Sequence, residues 1–127
     1  MTDAYLAFYT VQDPNHFFGR VIAEVANTDE TRAQGLSGRP YLLPSAGMLF
    51  IFEGVDYHPF TMQGVMLPLD MIFIDASRVV VGIVRMAQPG APGSFSVEAR
   101  ALMVLEVQGG FAKLWDVRVG DCLRIFP

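Results

Sequence analysis

The chain has 127 residues, of which 52% are hydrophobic and 17% charged, so it can bury a real core and is not a disordered segment. Its net charge is −4, from 9 Lys and Arg against 13 Asp and Glu. This balance argues against binding to duplex nucleic acid or an anionic membrane, because both need a basic face. A single cysteine, Cys122, excludes an intramolecular disulfide and any multi-cysteine metal site.

Short apolar segments rich in Val, Ile and Phe recur along the chain, separated by Gly, Pro, Asn or Asp. This rhythm is typical of a mainly β protein. The turn sequence "DASR" at residues 75–78 predicts a hairpin between its flanking strands. Strands are predicted over residues 5–11, 21–26, 48–52, 59–62, 71–74, 79–86, 101–107 and 122–126.

A first short helix is predicted after residue 26. Asn27 is its expected N-cap, with Glu30 three residues later completing a capping box, and Gly35 is expected to end the helix.

A second helix is predicted at about residues 111–115, with Phe111, Leu114 and Trp115 on the face that packs against a sheet. The Pro- and Gly-rich residues 86–96 are predicted to form a loop. The expected fold class is mainly β: one compact barrel or sandwich-like domain over residues 1–127, with two short peripheral α-helices. Residues 1–20 are expected to form an N-terminal arm or edge strand, and residues 21–126 the core.

The motifs of many enzyme classes are missing. The sequence contains no phosphate-binding loop, no dinucleotide-binding fingerprint and no nucleophile elbow. His16 and His58 stand alone, without a partner at metal-ligand spacing. No cofactor and no metal are therefore expected, and enzymatic activity is left open, with a non-enzymatic role favoured.

Two residues have both a chemical and a structural interpretation. His58 follows Asp56 by two residues, an arrangement that can orient an acid–base histidine, but a turn residue before Pro59 is favoured. Cys122 has only Arg124 nearby to promote a thiolate, so an inert structural cysteine is favoured.

Three carboxylates interrupt apolar strand patterns: Glu24, Asp70 and Glu106. A buried carboxylate needs a partner, backbone amides or an open cleft, because its desolvation costs several kcal/mol. Arg32, Arg39 and Arg85 are the candidate partners. The carboxylates can either converge on a functional pocket or each brace the fold, and the second interpretation is favoured.

The order of these motifs resembles the family called domain of unknown function 192. The resemblance covers residues 21–125 and rests on "TDETRAQGLSGR", "AGMLFIF", "PLDMIFID", "LEV" and "VRVGD". It implies a small, mainly β domain of unassigned biochemical function, in a bacterial family whose members are often exported. The family's recurring positions match Glu24, Arg32, Gly35, Leu36, Arg39, Gly47, Met48, Pro68, Leu69, Asp70, Asp75, Glu106, Val107, Gly120 and Asp121.

One stretch departs from the family. Members usually have Trp-Met-Lys-Asn where this chain has Thr61, Met62, Gln63 and Gly64, so an aromatic ring, a cation and an amide are missing. The N-terminal sequence lacks the basic and apolar regions of a signal peptide, which predicts a cytoplasmic protein rather than an exported one.

Three hypotheses follow. The favoured one is a binding or interaction domain for a small polar molecule or a protein segment, with neither nucleic acid nor a membrane as partner and the oligomeric state open. Its candidate ligand-binding residues are Arg32, Arg39, Met62, Asp70 and Glu106. The second is a hydrolase whose acid–base pair is Asp70 and Glu106, which must then face one open cleft. The third is a structural or assembly module that uses an exposed sheet edge.

Overall fold

A computed structural model describes residues 2–127, and in this range the chain forms nine strands and two short helices. Met1, the first residue of the predicted N-terminal arm, lies outside the described residues. The strands are β1 Asp3–Thr10, β2 Asp13–Ala26, β3 Ala46–Asp56, β4 Phe60–Thr61, β5 Leu69–Ile74, β6 Val80–Ala87, β7 Ser94–Phe95, β8 Ala101–Gln108 and β9 Cys122–Phe126. The helices are α1 Asp29–Gln34 and α2 Phe111–Leu114.

Seven strands form one mixed sheet in the order β6-β5-β8-β3-β2-β1-β9, and β4 pairs with β7 in a small second sheet. The β2–β3 pair is parallel, and its neighbours are antiparallel. The large sheet curls until Val79, just before β6, forms an isolated bridge with Cys122 of β9. It does not close into a barrel, so the mainly β class is confirmed, with an open curled sheet as its form.

Apolar side chains cover both faces of the large sheet. Leu49 and Ile72 belong to one buried cluster, together with Phe8 of β1 and Phe111 of α2. Their strand neighbours Met48, Phe50, Met71 and Phe73 belong to the other, which residues 36–65 help to cover. Because successive side chains of a strand point to opposite faces, β3, β5 and β8 are apolar almost throughout instead of alternating.

The first helix begins one residue later than predicted. Thr28, not Asn27, is the N-cap, and its side-chain oxygen accepts a hydrogen bond from the Thr31 amide at 3.1 Å. The Thr31 hydroxyl in turn accepts one from the Thr28 amide at 3.0 Å, so Thr31 replaces Glu30 in the capping box. Gly35 ends the helix as predicted, at φ +50°.

Three other local predictions were wrong. In the second helix Phe111 is buried, but Leu114 and Trp115 are 72% and 44% exposed, and the helix ends at Leu114, so Trp115 lies outside it. The predicted loop at residues 86–96 contains β7, which pairs with β4. Residues of the predicted N-terminal arm form β1, which lies between β2 and β9 rather than at an edge.

The predicted hairpin at residues 75–78 is confirmed. Strands β5 and β6 pair antiparallel, with Ile74 opposite Val80. The Asp75 carboxylate accepts hydrogen bonds from the amides of Ser77 and Val79 at 2.9 and 3.0 Å. The side chain of Asp75 therefore stabilises the turn through hydrogen bonds to its backbone amides.

Candidate functional site

Asp70 and Glu106 lie on opposite faces of the large sheet. On the paired strands β5 and β8, Asp70 is opposite Val107 and Met71 is opposite Glu106. Residues paired across two strands share a face, and successive residues of one strand do not. Asp70 therefore lies on the face of the Phe111 cluster, whereas Glu106 lies on the face that α1 and the residues after it cover.

Asp70 is fully engaged by the backbone. Its carboxylate accepts hydrogen bonds from the amides of Met86 at 2.8 Å, Gly110 at 3.2 Å and Ala112 at 2.9 Å. Gly110 is the N-cap of α2 and has no side chain with which to cap it. Asp70 supplies that cap and also ties β5 to the end of β6, so it braces three elements.

Glu106 is buried without a partner. The residue is 3% exposed, and its carboxyl has no hydrogen-bonding or charged neighbour that perturbs its pKa among residues 2–127. Burial raises the pKa of Glu106 to about 8, because the charged form loses its hydration. The carboxyl is consequently mostly neutral at pH 7, and it can donate one hydrogen bond as well as accept others.

A pocket of about 400 Å³ lies over Glu106, between α1, β3 and the segment around β4. We call it the α1 pocket. Its polar lining residues are Arg32, Gln34, Ser37, Thr61, Gln63 and Glu106. Its apolar lining includes Leu36, Phe50, Phe52, Phe60 and Val65. Over the described range, every completely inaccessible side-chain nitrogen or oxygen has a hydrogen-bond partner, so the partnerless Glu106 carboxyl keeps some access to the pocket.

Arg32 stands at the α1 side of this pocket and is already held in place. Its guanidinium donates to the Ile51 carbonyl at 2.8 Å and to the Asp29 carboxylate at 2.9 Å, and Glu53 lies 3.6 Å away. It also lies over the Phe52 ring, 5.5 Å from the centroid. The carboxylates of Asp29 and Glu53 therefore compensate the positive charge of Arg32 at the edge of the pocket.

Aromatic rings form the apolar wall of the α1 pocket. The Phe60 ring is nearly perpendicular to those of Phe50 and Phe52, at centroid distances of 4.9 and 6.0 Å. Gly35 lies against the same wall: a Cβ built there would come 3.4 Å from Phe50 Cζ. The rings are locked by edge-to-face packing, which makes the pocket a preformed one.

Arg39 does not reach the α1 pocket. It forms a bidentate pair with Glu24 of β2, in which the Arg39 Nη2 to Glu24 Oε1 distance is 3.1 Å. Both side chains are about one-third exposed, at 34% and 33%. The hydrogen bond from Arg39 lowers the pKa of Glu24, and the same pairing raises the pKa of Arg39. The pair holds the loop after α1 against the sheet.

The remaining predicted residues have structural surroundings. Met62 is fully buried in the cluster beneath the α1 pocket and is not among the lining residues. Cys122 is buried at the start of β9. His58 stacks on Phe52 at 3.7 Å and contacts the Gly54 carbonyl, whereas Asp56 accepts from the Tyr57 amide, so Asp56 does not orient His58.

Of the five predicted ligand-binding residues, the structure brings two together, Arg32 and Glu106. Sequence reasoning missed Phe50, Phe60, Ser37 and Gln63, because they come from three separate segments that only the fold assembles. Within residues 2–127, no cluster of three or more metal-ligating side chains is found. Over the same range, no helix is both long and apolar enough to cross a membrane.

Comparison with known proteins gives a family and a fold. The model of a family described as "Uncharacterized ACR", domain of unknown function 192, matches residues 10–125. A crystal structure from Sinorhizobium meliloti 1021, provisionally described as a transcription regulator, superposes with a TM-score of 0.89 at 28% identity, covering 98% of this chain and 94% of that chain. A protein of unknown function from Novosphingobium aromaticivorans DSM 12444 gives 0.83 at 28% identity, covering 94% and 83%. No curated protein matches the chain.

Proposed function

The chain belongs to the domain of unknown function 192 family, which is uncharacterised, and we propose that it is a binding domain that holds a small polar molecule in the α1 pocket. The observation that carries this proposal is Glu106. A carboxyl group buried without a protein partner is destabilising by several kcal/mol when charged, and a core packs better with an apolar residue in its place. A ligand in the α1 pocket would give the Glu106 carboxyl the hydrogen-bonding or charged partner that residues 2–127 do not supply.

The pocket has the properties of a small-molecule site. Its volume of about 400 Å³ falls in the range of 300–1,000 Å³ that is usual for such sites. It combines an apolar wall with a few polar groups, and its rings are fixed by packing. A preformed site binds with a smaller loss of conformational entropy than one that must order on binding.

The two rival functions have less support. A hydrolase with an Asp70 and Glu106 acid–base pair needs both carboxyls in one cleft, but the sheet separates them and three backbone amides occupy Asp70. An assembly role would use the sheet edges β6 and β9, which already meet at the Val79–Cys122 bridge, and no feature of either edge favours a particular partner.

The provisional regulator description of the Sinorhizobium meliloti relative suggests a role in transcription for this chain. A DNA-contacting role receives no support from its charge, since −4 overall is the wrong sign for a phosphate backbone. We therefore propose that any regulatory role passes through ligand binding and not through contact with DNA.

A fragment screen followed by amide NMR shifts tests the proposal. We expect fragments that bind to move the amides of Gly35, Ser37, Thr61 and Gln63 together. Gln63 is exposed and lines the pocket, so Gln63→Trp should fill the mouth and abolish these shifts. Gln12→Trp, the same change in the exposed turn between β1 and β2, is the matched control and should leave them intact. Binders that cluster elsewhere, or that survive Gln63→Trp, would disprove the proposal.

A further inference from the structure

We infer that the α1 pocket takes a protonated amine with a small apolar body, whose ammonium group pairs with Glu106 and whose hydrocarbon lies against Leu36, Phe50, Phe60 and Val65. This inference rests on the proposed binding function and names its ligand class. Three observations carry it: the charges around the pocket, its aromatic wall and the unpartnered acid at its base.

The charge balance favours a cation over an anion. Arg32 is the only cation among the described lining residues, and Asp29 at 2.9 Å and Glu53 at 3.6 Å from its Nη2 already compensate it. The Arg32 Nη1 is also bonded, to the Ile51 carbonyl at 2.8 Å. An anionic ligand would therefore have to compete with these existing partners for Arg32. An ammonium group meets an acid that has no partner.

The lining also suits an alkylammonium ion. Phe50 and Phe60 are edge-to-face, at 4.9 Å and 84°, and Phe52 meets Phe60 at the same angle. Phenylalanine rings attract cations through their negative faces and bury alkyl groups at the same time. A neutral ligand with the same hydrocarbon would gain the burial of its alkyl groups but not the attraction of a cation to the ring faces.

Binding of such a ligand must release a proton. Without a ligand, Glu106 has a pKa of about 8 and is mostly protonated below that pH. An ammonium ion beside it favours the charged carboxylate and so lowers the pKa. With that pKa, affinity should rise roughly 50-fold from pH 6 to pH 8, because the fraction of Glu106 in its charged form rises by that factor. A ligand that accepts a hydrogen bond from the neutral acid would show the opposite trend.

The other charged groups near Glu106 are few. Arg32 is the one on α1 that lines the pocket, and β3 contributes only Phe50 and Phe52 to the lining. The cross-strand neighbours of Glu106 are Met48 and Met71. His58 stacks on Phe52 beside the pocket, so it needs its own control.

The experiment measures the affinity of n-butylammonium and tetramethylammonium by NMR titration at pH 6, 7 and 8. Butyramide, 1-butanol and butyrate are the uncharged and anionic comparators. We expect both ammonium ions to shift the amides of the α1 pocket and to bind at least 10-fold more tightly than the comparators at pH 8. Tetramethylammonium keeps its charge at every pH, so its pH dependence reports on the protein alone.

Two variants assign the effect. Glu106→Gln should abolish both the preference for ammonium and the pH dependence, while Glu98→Gln, the same change at an exposed residue outside the pocket, should alter neither. His58→Asn should leave the pH dependence in place. Tighter binding of butyramide or butyrate, tighter binding at low pH, or no binding of either ammonium ion would overturn the inference. The fragment screen is scored separately, so a pocket that binds only other molecules would retain the proposed function and reject the amine.

Discussion

Asp70 and Glu106 stand one position out of register on adjacent paired strands, and their carboxyl groups leave the sheet on opposite faces. Asp70 accepts three backbone hydrogen bonds. Glu106 accepts none from residues 2–127 and lines a pocket instead. Two acids that look alike in the sequence therefore have separate roles, one structural and one available to a ligand.

The first prediction concerns Asp70→Asn. The amide of Asn can accept only through its one oxygen, so its NH₂ group would face either the Ala112 amide or the amides of Met86 and Gly110, donor to donor. Leaving a buried donor unsatisfied costs about 1–3 kcal/mol, and bonds to a charged acceptor are worth more than neutral ones. We expect a loss of about 3 kcal/mol in the free energy of unfolding, measured by denaturant titration.

Asp13→Asn is the control for that variant, because Asp13 is exposed. It should change stability by less than about 0.5 kcal/mol. If Asp70→Asn were as stable as Asp13→Asn, the bracing role of Asp70 would be refuted.

The second prediction concerns Glu106→Gln and pH. The folded-state pKa of about 8 lies above the ordinary value of 4.5, so the folded protein binds more protons than the unfolded chain between these values. The contribution of Glu106 to stability should therefore be fully present below about pH 4.5 and be lost as pH rises to about 8. The loss is on the order of a few kcal/mol, at about 1.4 kcal/mol per pKa unit.

Glu106→Gln removes this titration while keeping the volume. We expect it to match the wild type within about 1 kcal/mol at pH 5 and to be the more stable of the two at pH 8.5. Thermal unfolding across this range measures the difference. Glu98→Gln should show the same dependence of stability on pH as the wild type. If the curve for Glu106→Gln also ran parallel to that of the wild type, Glu106 would not be neutral in the folded protein.

The third prediction concerns the pair of Glu24 and Arg39. Both side chains are about one-third exposed, so water screens their attraction and the coupling should be about 1 kcal/mol or less. Glu24 has a lowered pKa, so the coupling is present above its ordinary value and is lost as pH falls through the lowered one. A double-mutant cycle with Glu24→Gln and Arg39→Met at pH 7 and pH 3 measures it. A coupling unchanged at pH 3 would contradict the assignment.

The fourth prediction concerns Gly47 on β3. A Cβ there would lie 2.7 Å from the Glu106 backbone oxygen and 3.1 Å from Val107 Cγ1, too close for the strands to stay in place. Gly47→Ala should cost about 2 kcal/mol through overpacking. Gly54 lies on the same strand with nothing within 4 Å of its Cβ position, so Gly54→Ala should be neutral or slightly stabilising. Equal stability of the two variants would reject this account of Gly47.

Local chemistry made part of the fold predictable. The "DASR" residues favour a turn and Gly35 favours the end of a helix through their own conformational preferences. The strands are predicted by apolar segments rich in Val, Ile and Phe. The N-cap was misplaced by one residue because Asn27 and Thr28 are both good caps, and only the contact between Thr28 and Thr31 decides between them. The exposure of Trp115 depends on the helix ending after one turn, which no pattern in the segment indicates.

The site was predictable only in its parts. Asp70 and Glu106 were both recognisable as acids in apolar strands, but their separation follows from a register that places Asp70 opposite Val107 and Met71 opposite Glu106. The resemblance to the family directed attention to Thr61–Gly64, of which Thr61 and Gln63 line the pocket and Met62 lies beneath it. Phe50 lies in a predicted strand, and its place in the pocket wall depends on its contact with Phe60, which the sequence does not indicate.

The most direct test of the account is the titration of Glu106 itself, followed through the ¹³C shift of its side-chain carboxyl from pH 4 to pH 10. With Glu106 buried and unpartnered, we expect a midpoint near pH 8, moving lower when a saturating alkylammonium ion is present. A midpoint near the ordinary value of 4.5 in the free protein would contradict the account. It would mean that a protein group or water already stabilises the charged form of Glu106.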